Sequence, residues 1–300
     1  MLEKLKSKFV HFFQILKQTA VEWNRDNSLS LAAALSYYTV FSIGPLLILV
    51  TGILGLLFEK DKVQGQLTSQ FRDLMGDQGA KVVESLVIST QQSHTGLIAT
   101  IIGFVTLLMG ATGAFAELKH SLNLIWHAEP EKISGIKAFL KTRVLSFGVI
   151  LAIGFLLLVS LIMNAVLLGA WQYISELLSI PAVFIEIIYL GVSLAMVTLL
   201  FAFIFKVLPD AQLKWSEVWL GAFVTAVLFT IGKFLIGLYI GKSSLSNSFG
   251  ASATVAIIMV WAYYSALILL FGAEFTKVLR NRLSGEAERT RITGLGEQPA

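Results

Sequence analysis

Beyond residue 28 the chain alternates long apolar blocks with shorter polar ones. Six blocks, at 31–58, 96–117, 144–170, 181–205, 218–240 and 249–275, are long enough to cross a bilayer as helices. A hydrocarbon core of about 30 Å takes roughly 20 residues at the helical rise. The pattern predicts an all-α polytopic membrane protein with six transmembrane helices in residues 29–278. Ahead of them, Leu2, Leu5, Phe9, Phe12, Phe13, Leu16 and Ala20 recur at i, i+3, i+4 spacing, with Lys4, Lys8 and Lys17 mostly off that stripe. Residues 1–28 therefore read as a basic amphipathic helix, its apolar face laid in the headgroups or packed on the protein's own loops. Charge interrupts that segment throughout, which argues against a cleavable signal peptide.

The connections carry their own signals. The 59–95 connection places Val63, Leu67, Phe71 and Leu74 on one helical face, so one or two amphipathic helices are expected there as an outer loop. Gly44-Pro45 lies inside the first block. Proline removes an amide donor, so a kink near Phe41 is expected, with Ser42 or Thr39 satisfying the freed carbonyl. The helix bearing Glu117 is predicted to continue through AELKHSLNLIW until Pro130. Ser216 is the expected N-cap of the fifth span, with Glu217 near its positive end. Residues 279–300, rich in charge and glycine, read as a disordered tail.

Composition supports the bilayer reading: 56% of residues are apolar and 14% charged, against about 45–50% and about 25% in soluble domains. Without cysteine there are no disulfides or thiolate metal sites. The net charge of +4 matters less than its distribution. Lysines and arginines number five before the first span, five in 118–143, two in 206–217 and five after residue 275. The alternate connections hold four in 59–95, none in 171–180 and one in 241–248. That bias places both termini in the cytoplasm.

Chemistry concentrates in few side chains. Lys233, in FTIGKFLIGLYIGK, lies roughly seven residues from the outer end of its span, about 10 Å deep at the helical rise. Glu186 lies at comparable depth in the fourth span, and Asn164 is a polar group in the third. Three roles are open to Lys233: lining a cavity for an anionic group, pairing with Glu186, or snorkelling to the outer headgroups. Glu117 and Glu274, near Lys119 and Lys277, are candidates for local ion pairs or a cytosolic gate. Gly237-x-x-x-Gly241, Gly110-x-x-x-Ala114 and Gly250-Ala251-Ser252-Ala253 suit close helix packing. The polar and aromatic sets SYYTVFS and WAYYS need partners for their polar tips, from neighbouring helices or a hydrated cavity. Four histidines show no metal-ligand spacing, and no nucleophile elbow, phosphate loop or dinucleotide fingerprint occurs. No enzyme, metal, cofactor or nucleic-acid partner is expected.

Four segments carry a family likeness. SLAAALSYYTVFSIGPLLIL (30–49), GAFAELKHSLNLIW (113–126), LPDAQLKWSEVWLGAFVTAVLFTIGKFLIGLYI (208–240) and FGASATVAIIMVWAYYSALILLFGAEF (249–275) resemble the YihY/BrkB family of bacterial inner-membrane proteins. The likeness covers most of residues 25–280 and implies six crossings of the inner (plasma) membrane. Pro45, the Pro209-Asp210 turn, Lys233 and the Gly272-Ala273-Glu274 triplet stand at matching motif positions. Members have been labelled ribonuclease BN or a virulence factor, and some connected to lipid or lipopolysaccharide transport. The nuclease label fits poorly, because phosphodiester hydrolysis wants clustered metal ligands or positioned acid–base groups.

The reading is a transporter or flippase-like protein, with membrane lipids as surroundings and an anionic lipid or amphiphile as substrate near Lys233, Glu186 and Asn164. The alternative is an envelope scaffold whose buried charges only pack. The orientation is directly testable. In an otherwise cysteine-free chain, Ser69→Cys should react with a membrane-impermeant maleimide from outside intact cells only; labelling from the cytoplasmic face would invert the topology.

Overall fold

The computed structural model describes residues 2–57, 113–128, 182–242 and 253–295, together with isolated positions between 65 and 88. Among the described residues all regular structure is helical. We number the helices α1 (Leu2–Arg25), α2 (Ser28–Leu57), α3 (113–126), α4 (Ala182–Val207), α5 (Trp215–Lys242) and α6 (Ala253–Leu295). The third predicted span and the polar linker before α6 lie outside the described residues. The described positions in the 59–95 connection, Gly65, Thr68 and Arg72 among them, are helical.

Helix ends follow local chemistry. α1 stops at Arg25 because Asn27 takes a left-handed φ of 50°, a conformation asparagine tolerates better than most residues. The Asp26 and Asn27 amides bond back to Glu22 and Asn24, and α2 begins at once with Ser28. α3 runs through AELKHSLNLIW as expected, but ends before Pro130. His127, at φ 50°, closes it in a Schellman turn: His127 N–H donates to Leu124 and Ala128 N–H to Asn123.

Three other expectations are corrected. The N-cap of α5 is Lys214, not Ser216: Glu217 Oε2 accepts from the Lys214 amide at 2.8 Å, the reaching-back half of a capping box. Glu217 does lie in the first turn, where the helix dipole favours it. α2 runs through Pro45 as one helix, and what is corrected is the role of the nearby hydroxyls, which do not serve the Phe41 carbonyl. Thr39 donates to Leu35 and Ser42 to Thr39. The tail is not without structure, because α6 extends to Leu295. Its Glu286-Ala287-Glu288-Arg289 stretch is made of strong helix formers.

Among the described residues three helices are long and apolar enough to cross a membrane, over Leu190–Val207, Trp215–Ile236 and Val255–Arg282. Large apolar side chains stand exposed along them, including Ile187, Leu190, Phe223, Phe234, Leu235 and Met259. A soluble protein rarely exposes so continuous an apolar surface.

The chain divides into two compact units. The first comprises Met1–Ser28, Ser121–Val227 and Leu269–Ala300. There Ile15 of α1 packs with Phe275 and Val278 of α6, joined by Leu16, Val224 and Leu279. Phe12 meets Phe275 and Trp23 meets Phe271 edge-on. Asn123 grips the turn after α4 twice, donating to Asp210 Oδ2 and accepting from the Asp210 amide, both at 2.8 Å. α5 and α6 interlock reciprocally. Thr225 and Thr276 donate to the carbonyls of Gly221 and Gly272 on their own helices, each at 2.7 Å. A Cβ on Gly221 would fall 1.8 Å from Thr276 Oγ1, and one on Gly272 1.8 Å from Thr225 Oγ1.

The second unit comprises Leu29–His120 and Leu228–Ile268. Ser36 donates to the Met259 carbonyl at 2.9 Å, joining α2 to α6. Tyr38 lies over Gly113, and the Tyr264 hydroxyl occupies the space a side chain on Gly232 would need.

The glycine–threonine interlock yields a stability prediction. Gly272→Ala should lower the unfolding midpoint in detergent, at an overpacking cost of about 1–3 kcal/mol. Adding Thr225→Ala should restore only part, because the Thr225 Cβ still lies 2.8 Å from the new methyl. A neutral Gly272→Ala would show that the two helices do not meet there.

Candidate functional site

The most concentrated charge in the described residues is in the first unit. Asp26 occupies the two-residue link between α1 and α2, held by the helix stop at Asn27. Glu274 and Lys277 stand three apart on α6, the spacing that puts two side chains on one face. The Lys277 ammonium lies 3.1 Å from Asp26 Oδ2 and 3.1 Å from Glu274 Oε2. Its directed hydrogen bond to Glu274 goes to Oε1 at 3.4 Å, which leaves Oε2 paired in charge but without a hydrogen bond. Glu274 is fully buried, at 0% exposure. Lys277 is nearly so, and Asp26 keeps 14% of its side chain accessible.

The two carboxyls share the one Lys277 nitrogen. Burial alone would push the Asp26 carboxyl up. The bond to Glu274 and the bond and charge of Lys277 outweigh it, with a smaller pull from His127, and hold Asp26 below the usual carboxylate range. A depressed carboxylate stabilises the fold above its unfolded pKa, and that contribution is lost as pH falls through the folded value. Around the triad the other charges are engaged: Arg280 with Glu217 at 3.5 Å and over the Trp126 ring, Arg282 with Gln18 at 2.7 and 3.0 Å, and Arg25 with Glu22 at 3.9 Å. Lys206 donates to the Leu213 carbonyl.

Lys233 lies on α5 in the second unit. Ile231, Phe234, Leu235 and Leu238 form the exposed face of that helix. Lys233 is two residues beyond Ile231, roughly 200° around at 3.6 residues per turn, so it falls on the opposite face. It is half-buried there, on the side of buried Ile236. Asn164 and the Glu186 side chain lie outside the described residues. Glu117 is half-buried on α3 in the second unit, whereas the partners of Glu274, Asp26 and Lys277, are both in the first. The local pairing of Glu274 with Lys277 was legible in the sequence. Asp26 was missed, because it sits in a polar stretch, EWNRDNS, with nothing to mark it. Among the described residues no group of three or more His, Asp or Glu could hold a metal ion.

The profile of the family described as Virulence factor BrkB matches residues 19–293. Three similar proteins are each called UPF0761 membrane protein. One from Tolumonas auensis is 30% identical over 87% of this chain and 84% of its own length. Others, from Chromohalobacter salexigens and Alkalilimnicola ehrlichii, are each 26% identical, over 90% and 92% of this chain and 64% and 60% of their own lengths. The chain thus spans less than two thirds of the length of those two relatives. No solved structure matches.

Removing the ammonium tests the triad. Lys277→Met strands two buried carboxyls and should cost about 3–5 kcal/mol. Lys214→Met, at an exposed side chain, should stay within about 0.5 kcal/mol. Denaturant unfolding of the two variants, side by side in one detergent, decides; equal losses would mean Lys277 is not buried between acids.

Proposed function

Since the chain belongs to the BrkB family of membrane proteins, we propose that it carries an anionic amphiphile through the lipid bilayer. In this reading six helices cross the bacterial inner membrane with both termini in the cytoplasm. Lys233 receives the headgroup, assisted by Glu186 and Asn164. The observation that supports it most is the position of Lys233, half-buried and turned away from the exposed Ile231–Phe234–Leu235 face. Charged side chains in membrane helices are costly, face the interior of a bundle, and mark pathways for ions and polar substrates.

An ammonium there attracts a phosphate or carboxylate headgroup while the acyl chains stay in lipid. Lysine suits a mobile cargo, because it binds as a compact charge on a flexible stem without the fixed fork of arginine. Nearby Gly232 is covered by the Tyr264 hydroxyl, so backbone and phenol are in contact one residue from the ammonium. That contact supplies a polar neighbour for a headgroup in an otherwise apolar stretch. No nucleotide-binding motif occurs in the sequence, and the driving force in this reading is an ion or concentration gradient.

Lipid retention tests the reading. The full-length protein, purified in mild detergent and incubated with mixed phosphatidylglycerol and phosphatidylcholine vesicles, should retain phosphatidylglycerol preferentially. Lys233→Met should cut that preference several-fold, and Lys233→Arg should keep most of it. An unchanged lipid profile in Lys233→Met would sink the substrate role and favour a scaffold.

A further inference from the structure

The Asp26–Glu274–Lys277 triad carries an inference that does not depend on amphiphile transport. We propose that it is a proton-binding site, in which Asp26 exchanges protons with water and Glu274 stores one out of contact with it.

Charge arithmetic supplies the first argument. Two carboxylates and one ammonium leave one uncompensated negative charge in a site where Glu274 is fully buried and Lys277 nearly so. One proton removes it. Both carboxyls close on the same Lys277 nitrogen, at 3.1 Å each, and two carboxylates crowded onto one ammonium favour taking up a proton.

Unpartnered oxygens supply the second. Glu274 Oε2 is buried with no hydrogen bond, although Lys277 is close enough to pair with it in charge. A proton turns an oxygen that accepts nothing into a donor. Ser28 Oγ, two residues from Asp26 and fully buried, also lacks a partner. Its hydroxyl is a further polar group committed to nothing else beside the link.

The identity of the ligand follows from what already sits there. A metal cation would take the place between the carboxylates, and the Lys277 ammonium occupies it at 3.1 Å from each. The groups that set the site's charge come from three elements: Asp26 from the α1–α2 link, Lys277 and Glu274 from α6, and His127 from the end of α3. Arg280 and Arg282 are held by Glu217 and Gln18.

Unequal exposure gives the path. Asp26 is 14% accessible and Glu274 is sealed. A proton from water forms an O–H bond at Asp26. That bond breaks as a new O–H bond forms at Glu274, the other carboxyl on the same ammonium, and Asp26 returns to its charged state against Lys277. Release runs the same steps backwards.

The test is infrared difference spectroscopy of the full-length protein in lipid nanodiscs, stepping pH upward from neutral. The wild type should show a protonated-carboxyl stretch that bleaches at alkaline pH. Glu274→Gln should abolish that band while the protein elutes as a single folded species. Asp26→Asn should keep the band, shift its frequency because its acceptor has changed, and slow its bleaching after a pH jump several-fold. Should Glu274→Gln fail to fold, Asp26→Asn decides alone. Absence of the band in the wild type, its persistence in a folded Glu274→Gln, or an unshifted and equally fast band in Asp26→Asn would each overturn the proposal.

Discussion

One ammonium group ties the two ends of this chain together. Lys277 bonds to Asp26 across 251 positions of sequence, and to Glu274 within its own helix. In water such a contact is one among many, because apolar burial does most of the folding. Between helices in lipid the balance changes. Acyl tails are as apolar as leucine, so helices gain little by hiding apolar faces from them. Which helices meet is then set by polar contacts and by how closely backbones approach. A buried pair repays its desolvation poorly, yet breaking one half of it is severe. The triad therefore holds the α1–α2 link to α6 less by adding stability than by penalising every arrangement that separates the three groups.

Close approach is the other half of that logic. Gly221 and Gly272 leave room for the threonine of the facing helix, and each threonine satisfies its hydroxyl on its own backbone. Neither threonine needs the other helix for its hydrogen bond. What each needs is the absence of a side chain opposite. Side-chain shape thus sets this contact between α5 and α6, whereas charge ties the α1–α2 link to α6. Removing a methyl-sized hollow and removing a charge should consequently leave different signatures, one in packing and one in electrostatics.

How much of this was legible in the sequence divides along the same line. Apolar block length located α2, α4, α5 and most of α6, because a membrane imposes that length on any crossing helix. The small or weakly polar helical neighbours of Lys233, namely Ala226, Thr230 and Gly237, suit a bundle-facing position, whereas the open face of Ile231 and Phe234 is visible only in the structure. The reciprocal glycine–threonine contact was not anticipated. Attention went to small residues spaced with other small residues, and threonine plays the small role here only because its hydroxyl folds back on its own carbonyl. Asp26 escaped for a deeper reason. No periodicity relates a residue in a two-residue link to one near the far end of the chain, and its local sequence is what any solvated turn would contain. The Lys214 cap was likewise hidden, since it comes from the side chain of Glu217 and not from the capping residue itself.

Buried Lys277 and half-buried Lys233 are therefore not equivalent. Lys277 has its charge more than answered: two carboxyls for one ammonium leave a surplus that a proton, and not a further anion, would cancel. Lys233 stands on an apolar helix, and its expected carboxylate partner, the Glu186 side chain, lies outside the described residues. Binding an anion at Lys277 would add to an existing excess of negative charge, and binding a proton near Lys233 would add to an existing positive one. The two proposals therefore ask opposite ligands of the two lysines. The stretch shared with the family, residues 19–293, contains both lysines and both triad carboxyls, while most of α1 before Thr19 falls outside it. Whatever the longer relatives add beyond that stretch, both proposals concern residues within the part this chain has in common with them.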